Sequence, residues 1–124
     1  MSAPPPLRVT IVSANAETAD GLRSYLCGAG VEATSTAELS MPHAERTLDA
    51  AVYFPDEYGA EDVLEVIRKL RRAHARLLVV IVTRQPHTFV RALDDDEGGR
   101  APIVIPKPAW GWTILDAIRE QLAL

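Results

Sequence analysis

Cysteine is nearly missing from this sequence. A single one, Cys27, stands among 124 residues, which excludes an internal disulfide and a cysteine-built zinc site. Long apolar runs are missing too. The longest, Leu77 to Val82, has six residues, far short of the roughly 18 of a membrane span. There is no basic excess: 13 Lys and Arg face 17 Asp and Glu, for a net charge of -4. That argues against a dedicated nucleic-acid binder, which carries a basic surplus or a basic face. The opening Met1-Ser2-Ala3-Pro4-Pro5-Pro6 has neither a charged n-region nor an apolar h-region, so no secretory signal is read and the cytoplasm is the expected compartment. His43, His74 and His87 are scattered without an H-E-x-x-H spacing, so no metal and no cofactor are expected. What remains is 48% apolar and 24% charged, the composition of one ordinary globular domain.

Residues 1–6 read as a proline-rich flexible tail and 7–124 as a single domain. Within it the apolar pattern alternates between two periods. Leu7 to Val12, Val31 to Ser35, Ala50 to Phe54, Leu78 to Val82 and Pro102 to Pro106 read as five short strands. The fourth has no polar face, which implies cover on both sides; the prolines of the fifth suit an edge. Between the strands, Glu17 to Gly28, Ala60 to about Ala75, Pro86 to Leu93 and Trp112 to Leu122 show helical spacing, and Ala37 to Arg46 a weaker one broken by Pro42. In the Ala60 helix the stripe Val63, Leu64, Ile67 and Leu70 faces inward. Acids lead it, and Arg68, Lys69, Arg71, Arg72 and Arg76 load its end, reading as a dipole-matched solvated terminus. Asp94 to Glu97 reads as a solvated acidic loop, and Cys27 as a small buried residue.

Short alternating strand and helix units require parallel strands, right-handed crossovers and helices on both faces. The expected fold is therefore α/β, a (βα)5 doubly wound parallel five-stranded sheet. In such sheets ligands bind beyond the C-terminal strand ends. This chain places Ser13-Ala14-Asn15 after the first strand, Phe54-Pro55-Asp56 after the third, Thr83 after the fourth and Lys107 after the fifth. The first turn, Ser13-Ala14-Asn15-Ala16, is not a glycine-rich phosphate loop.

The order and spacing of Ile81-Val82-Thr83, of Lys107-Pro108 placed 24 residues after Thr83, and of Leu48 to Phe54 leading into a buried run resemble the receiver domain of bacterial response regulators, over residues 7 to 122. The resemblance implies a CheY-like, flavodoxin-like sheet of order 2-1-3-4-5, a cis Lys107-Pro108 peptide, and a role in two-component signal transduction. It also implies phosphoryl transfer to an aspartate at the end of the third strand, with two acidic residues after the first strand holding Mg²⁺. Here those positions fall on Phe54, Ser13 and Ala14. Mg²⁺ wants carboxylate oxygens, and an acyl phosphate needs a carboxylate nucleophile; these three residues supply neither. The sequence thus resembles a pseudo-receiver, with a phenyl ring plugging the reactive hollow. A two-residue slip would bring Asp56 into the acceptor's place, although Pro55 makes the backbone there unlike the family's. Otherwise Asp56 and Glu57 read as a solvated loop pair.

Thr83, Lys107 and Pro108 keep the family pattern. Two roles stand open for Lys107: a structural one, bonding a strand-end carbonyl or pairing with Asp56 or Glu57, and a retained anion site shared with Thr83. Ala109 stands where the family places a large apolar residue. Trp110 and Trp112, two apart, cannot share one helix face; one is expected to fill that core position and the other to be partly exposed. The family uses the surface of its fourth helix, fifth strand and fifth helix for dimerisation or partner binding, which here means Trp110, Trp112, Phe89 and Arg91. The expectation is a phosphorylation-independent interaction module, not an enzyme, with a protein partner or a second copy and neither nucleic acid nor membrane. The alternatives are a small-molecule or anion sensor using the crevice, and a divergent receiver phosphorylated on Asp56.

Overall fold

The structure, a computed structural model, describes residues 6–39, 48–94 and 100–122. Strands β1 (Arg8–Val12), β2 (Glu32–Thr36), β3 (Ala50–Tyr53), β4 (Leu78–Thr83) and β5 (Ile103–Pro106) form one sheet in the order β2-β1-β3-β4-β5. All four pairings are parallel, with Val12 opposite both Thr36 and Tyr53, Tyr53 opposite Ile81, and Thr83 opposite Pro106. This is the expected doubly wound, flavodoxin-like topology.

Among the described residues four α-helices accompany it: α1 (Ala16–Gly28), α2 (Ala60–Ala73), α3 (Pro86–Asp94) and α4 (Gly111–Gln121). The weak helix expected over Ala37 to Arg46 falls largely on residues 40–47, outside the described ones; Ala37 to Leu39 are not helical. The proline tail, except Pro6, and the acidic loop beyond Asp94 also lie outside them. Each visible helix has a local cause. Asn15 caps α1 by accepting from Thr18 N–H at 3.2 Å, and Gly30 at φ 87° turns the chain out of it. Helix α2 opens with Glu61 and Asp62 and closes with Arg71 and Arg72, in line with its dipole. Pro86 starts α3, where a missing N–H is harmless.

Alternation along the strands sends side chains to two separate cores. Val9, Ile11, Val52, Val80 and Ile105 meet Leu22 and Leu26 of α1 and Ile114, Leu115 and Ile118 of α4. Val12, Ala51, Tyr53, Val79 and Ile81 meet Val63, Ile67 and Leu70 of α2 and Phe89 and Leu93 of α3. Strand β4 is buried along its whole length, as its unbroken apolar run requires, whereas β2 is an exposed edge. Strand β5 is the other edge, where Pro106 withholds no ladder donor that a neighbour needs.

Three expectations are corrected. Cys27 is exposed, because it sits on the solvent side of α1 next to buried Leu26. Phe89 does not belong to a contact surface: with 2% exposure it is the main anchor of α3 on the sheet. The basic end of α2 is not uniformly solvated. Arg71 is buried, and Arg68 reaches across to donate to the Ala92 carbonyl of α3 at 3.0 Å; Lys69 pairs with Glu65 at 3.0 Å.

Ile81, fully buried between α2, α3 and the middle of the sheet, tests this account. Ile81→Ala removes methylenes that its neighbours cannot replace. It is expected to cost about 2–5 kcal/mol, read as a lower urea midpoint at unchanged slope.

Candidate functional site

The C-terminal ends of β1, β3, β4 and β5 converge on a crevice whose floor is set by the ladder. Phe54 N–H donates to the Val12 carbonyl at 3.3 Å, and Lys107 N–H donates to the Thr83 carbonyl at 3.0 Å. Strand β3 stops at Tyr53, whose side chain goes to the α2/α3 core; burial pushes its phenol well above the ordinary range, with the neighbouring Tyr58 adding to the effect. Phe54 goes the other way. It is 4% exposed and packs into the α1/α4 core, and the Lys107 ammonium stands 5.8 Å from its ring centroid, within cation–π range. The ring therefore lies under Lys107 as buried apolar volume, at the position where the resemblance places a carboxylate.

Pro55 then forces a sharp change of course. Its fixed φ and missing N–H suit the first position of a short helical turn, and Pro55–Glu57 forms a single 3₁₀ turn. That turn carries two carboxylates back over the crevice. Asp56 Oδ1 accepts from the Thr83 hydroxyl at 2.6 Å, Oδ2 accepts from Arg84 N–H at 2.8 Å, and Lys107 Nζ stands 3.5 Å from Oδ2. Glu57 Oε1 accepts from the Ser13 hydroxyl at 2.6 Å and from Asn15 N–H at 2.9 Å. Tyr58 completes the strap by donating to the Ala37 carbonyl at 2.7 Å. Residues 54–58 thus tie the ends of β1, β4 and β5 and the loop after β2 to one another.

Asp56 is exposed and Glu57 half-buried, as a loop pair is expected to be, but both are tied by hydrogen bonds to neighbouring strand ends. Sequence spacing could not show this, because the engagement depends on how Pro55 redirects the chain. Two carboxylates therefore stand at the strand ends, Asp56 met by donors from the ends of β4 and β5 and Glu57 by donors from the end of β1. Burial alone would raise the Asp56 carboxyl, but the Thr83 hydroxyl, the Arg84 N–H and the Lys107 charge outweigh it and hold the group below its ordinary 3.8. Thr83 itself is fully buried. Of the two roles open to Lys107, the observed one is the pairing with Asp56, together with its place over Phe54. Ser13 is buried beneath Glu57, whereas Ala14 is exposed.

The Lys107–Pro108 peptide is cis, as the resemblance implies, and leads to the two tryptophans. Ala109, partly buried, takes the place against the α1/α4 core. Neither Trp110 nor Trp112 fills that core: they are 60% and 52% exposed. Their rings stack on one another with centroids 5.3 Å apart and planes 5° from parallel. The helix-face argument did not apply, because Trp110 is the extended N-cap of α4 (φ -86°, ψ 156°) and only Trp112 is inside the helix. Between them Gly111 is pressed against α1. A β-carbon there would come within 2.8 Å of the Tyr25 ring, and Tyr25 is itself 41% exposed. The aromatic surface thus joins α4 to α1, and Arg91 lies exposed on α3.

No family model matches the sequence, and no curated protein does. Solved structures do match. A CheY-like response regulator receiver domain from Methanospirillum hungatei is 19% identical with a TM-score of 0.73, covering 95% of this chain and 94% of that one. A putative pilus assembly-related protein from Burkholderia pseudomallei is 21% identical, TM-score 0.73, covering 99% and 94%. An orphan response regulator of Helicobacter pylori is 16% identical, TM-score 0.74, covering 97% and 99%. At these identities the likeness is one of fold: the chain is folded as receiver domains are.

The Asp56 contacts carry a pH signature. A carboxyl whose folded pKa lies below its unfolded one contributes stability that is present above the unfolded value and is lost as pH falls through the folded one. Wild type is therefore expected to exceed Asp56→Asn in urea stability near neutrality. The gap should close as the pH is lowered past 3.8 and on through the depressed folded value. Parallel pH-dependent curves for the two proteins would show that the contacts contribute nothing.

Proposed function

We propose that this chain is a signalling module of the receiver type that works without phosphoryl transfer, by binding a protein partner or a second copy of itself, and that it catalyses nothing. The observation that carries the reading is the state of the crevice. The strand-end position belongs to a buried phenyl ring, and both oxygens of Asp56, the alternative acceptor, are already engaged. A phosphoacceptor must present a free oxygen to an in-line phosphorus. Asp56 would have to give up the Thr83 hydroxyl on one oxygen, or the Arg84 amide and Lys107 on the other. A divalent ion would meet the Ser13 hydroxyl and the Ala14 methyl after β1, where it needs carboxylates.

Output is assigned to the aromatic surface. Stacked tryptophans that remain half exposed present a large, rigid apolar area at little cost in side-chain entropy, which is why tryptophan is enriched in interface hot spots. The surface differs from the one read out of the sequence: Phe89 leaves it and Tyr25 joins it. Among the described residues no helix is long and apolar enough to cross a membrane. The chain's net charge of -4 speaks for a protein partner over a nucleic acid.

Two measurements test the reading. Incubation with Mg²⁺ and acetyl phosphate is expected to leave the intact mass unchanged; a gain of one phosphoryl group overturns it. Light scattering of wild type beside Trp110→Ala and Trp112→Ala reads the contact surface. A wild-type dimer that becomes monomeric in either variant places self-association there. If all three are monomeric, pull-down with wild type and the two variants identifies the partner, whose retention is expected to fall at least about tenfold on loss of a hot-spot ring. Equal retention by all three overturns the assignment.

A further inference from the structure

The residues that supply the donors around Asp56 are placed by the sheet, Thr83 and Arg84 at the end of β4 and Lys107 just after β5. Lys107 N–H bonds the Thr83 carbonyl at 3.0 Å, fixing the end of β5 against the end of β4. Gln85 N–H donates to Thr83 Oγ1 at 3.0 Å, which takes up a lone pair of the hydroxyl and leaves its proton to be given outward, toward the crevice. Arg84 N–H, one residue along the same turn, aims at the same place, and the Lys107 ammonium approaches it from β5. A buried hydroxyl, a backbone amide and an ammonium converge on one point. Donors and positive charge in that combination recognise an oxyanion. The oxyanion they hold is part of the chain, and it is delivered by a turn that Pro55 makes rigid.

We infer that this crevice is an oxyanion-binding site whose resident ligand is the chain's own Asp56 carboxylate, so that free oxyanions of the phosphate class are shut out by intramolecular competition. A tethered ligand acts at an effective concentration no millimolar ion in solution matches when the geometry fits. The fit here is two short bonds, at 2.6 and 2.8 Å, to the two separate oxygens. Glu57 sets the tether, since its bonds to Ser13 and Asn15 hold the other side of the same turn down on β1. The inference rests on the reading that Asp56 is not a phosphoacceptor, because a carboxylate that receives a phosphoryl group cannot also be the anion that fills the site.

The experiment is thermal unfolding in millimolar inorganic phosphate against chloride of equal ionic strength. Wild type is expected to melt at the same temperature in both. Asp56→Ala empties the site and is expected to melt lower in chloride and several degrees higher in phosphate, by mass action on the native state. The double variant Asp56→Ala/Lys107→Met is expected to lose that gain. Equal responses of wild type and Asp56→Ala, whether both rise or neither does, overturn the inference. Should Asp56→Ala fail to fold in chloride, folding in phosphate alone supports it. Should it fold in neither, Asp56→Asn is titrated with phosphate while the Arg84 amide is followed by NMR: a saturable shift absent from wild type supports the inference, and no shift overturns it. The earlier reading fails separately, on a phosphoryl mass gain by wild type, which none of these melts reports.

Discussion

The short hydrogen bond from the buried Thr83 hydroxyl to Asp56 is the contact on which the rest of this site depends. It joins the end of the fully buried strand β4 to a turn that would otherwise leave the sheet. Once it is made, Arg84 N–H and Lys107 fall on the same carboxylate, and the next residue, Glu57, is brought within reach of β1. Charge-assisted bonds of this kind are short and strong where water is partly excluded. The result is a strap that closes over the strand ends with its own anions.

Packing and internal pairing dominate this end of the sheet. Phe54 gives its ring to the α1/α4 core and a face to Lys107, so the lysine is engaged twice, by the ring and by Asp56. At the end of β1, the Ser13 hydroxyl is likewise taken up by Glu57. Beyond the crevice, the tryptophan pair stands exposed on the cis turn into α4. Gly111 suits the place, because a β-carbon there would force the Tyr25 ring or the turn to shift.

The sheet was legible from sequence to within a residue or so at each end, since short apolar runs separated by helical stripes admit few arrangements. Val79 to Val82, with no polar face, could only be an interior strand. The strand-end residues were legible as well: Thr83 and Lys107 stand where their spacing placed them. The roles of Asp56 and Glu57 were legible only in part, as one of the pairings open to Lys107. They depend on a turn geometry at Pro55 that one residue type restricts but does not define, and on partners 27 and 44 positions away in sequence. Trp110 and Trp112 were misplaced for a related reason. Face arguments hold inside a helix, and the first of the pair lies just outside α4. Phe89 was assigned to a contact surface by the resemblance and Arg71 to solvent with its basic neighbours, whereas burial follows angular position on the helix.

The strand order has a consequence for how the molecule comes together. β1 is made first and lies between β2 and β3, so the first crossover builds one flank and the second the other. From there β4 and then β5 are laid down outward on a single side, in the sequence in which a ribosome would release them. No strand has to be inserted between two that are already joined, and every segment synthesised finds an open border waiting for it. A chain of this topology can be assembled vectorially from its beginning. The strap over residues 54–58 can take its final form only when the last strand, bearing Lys107, arrives.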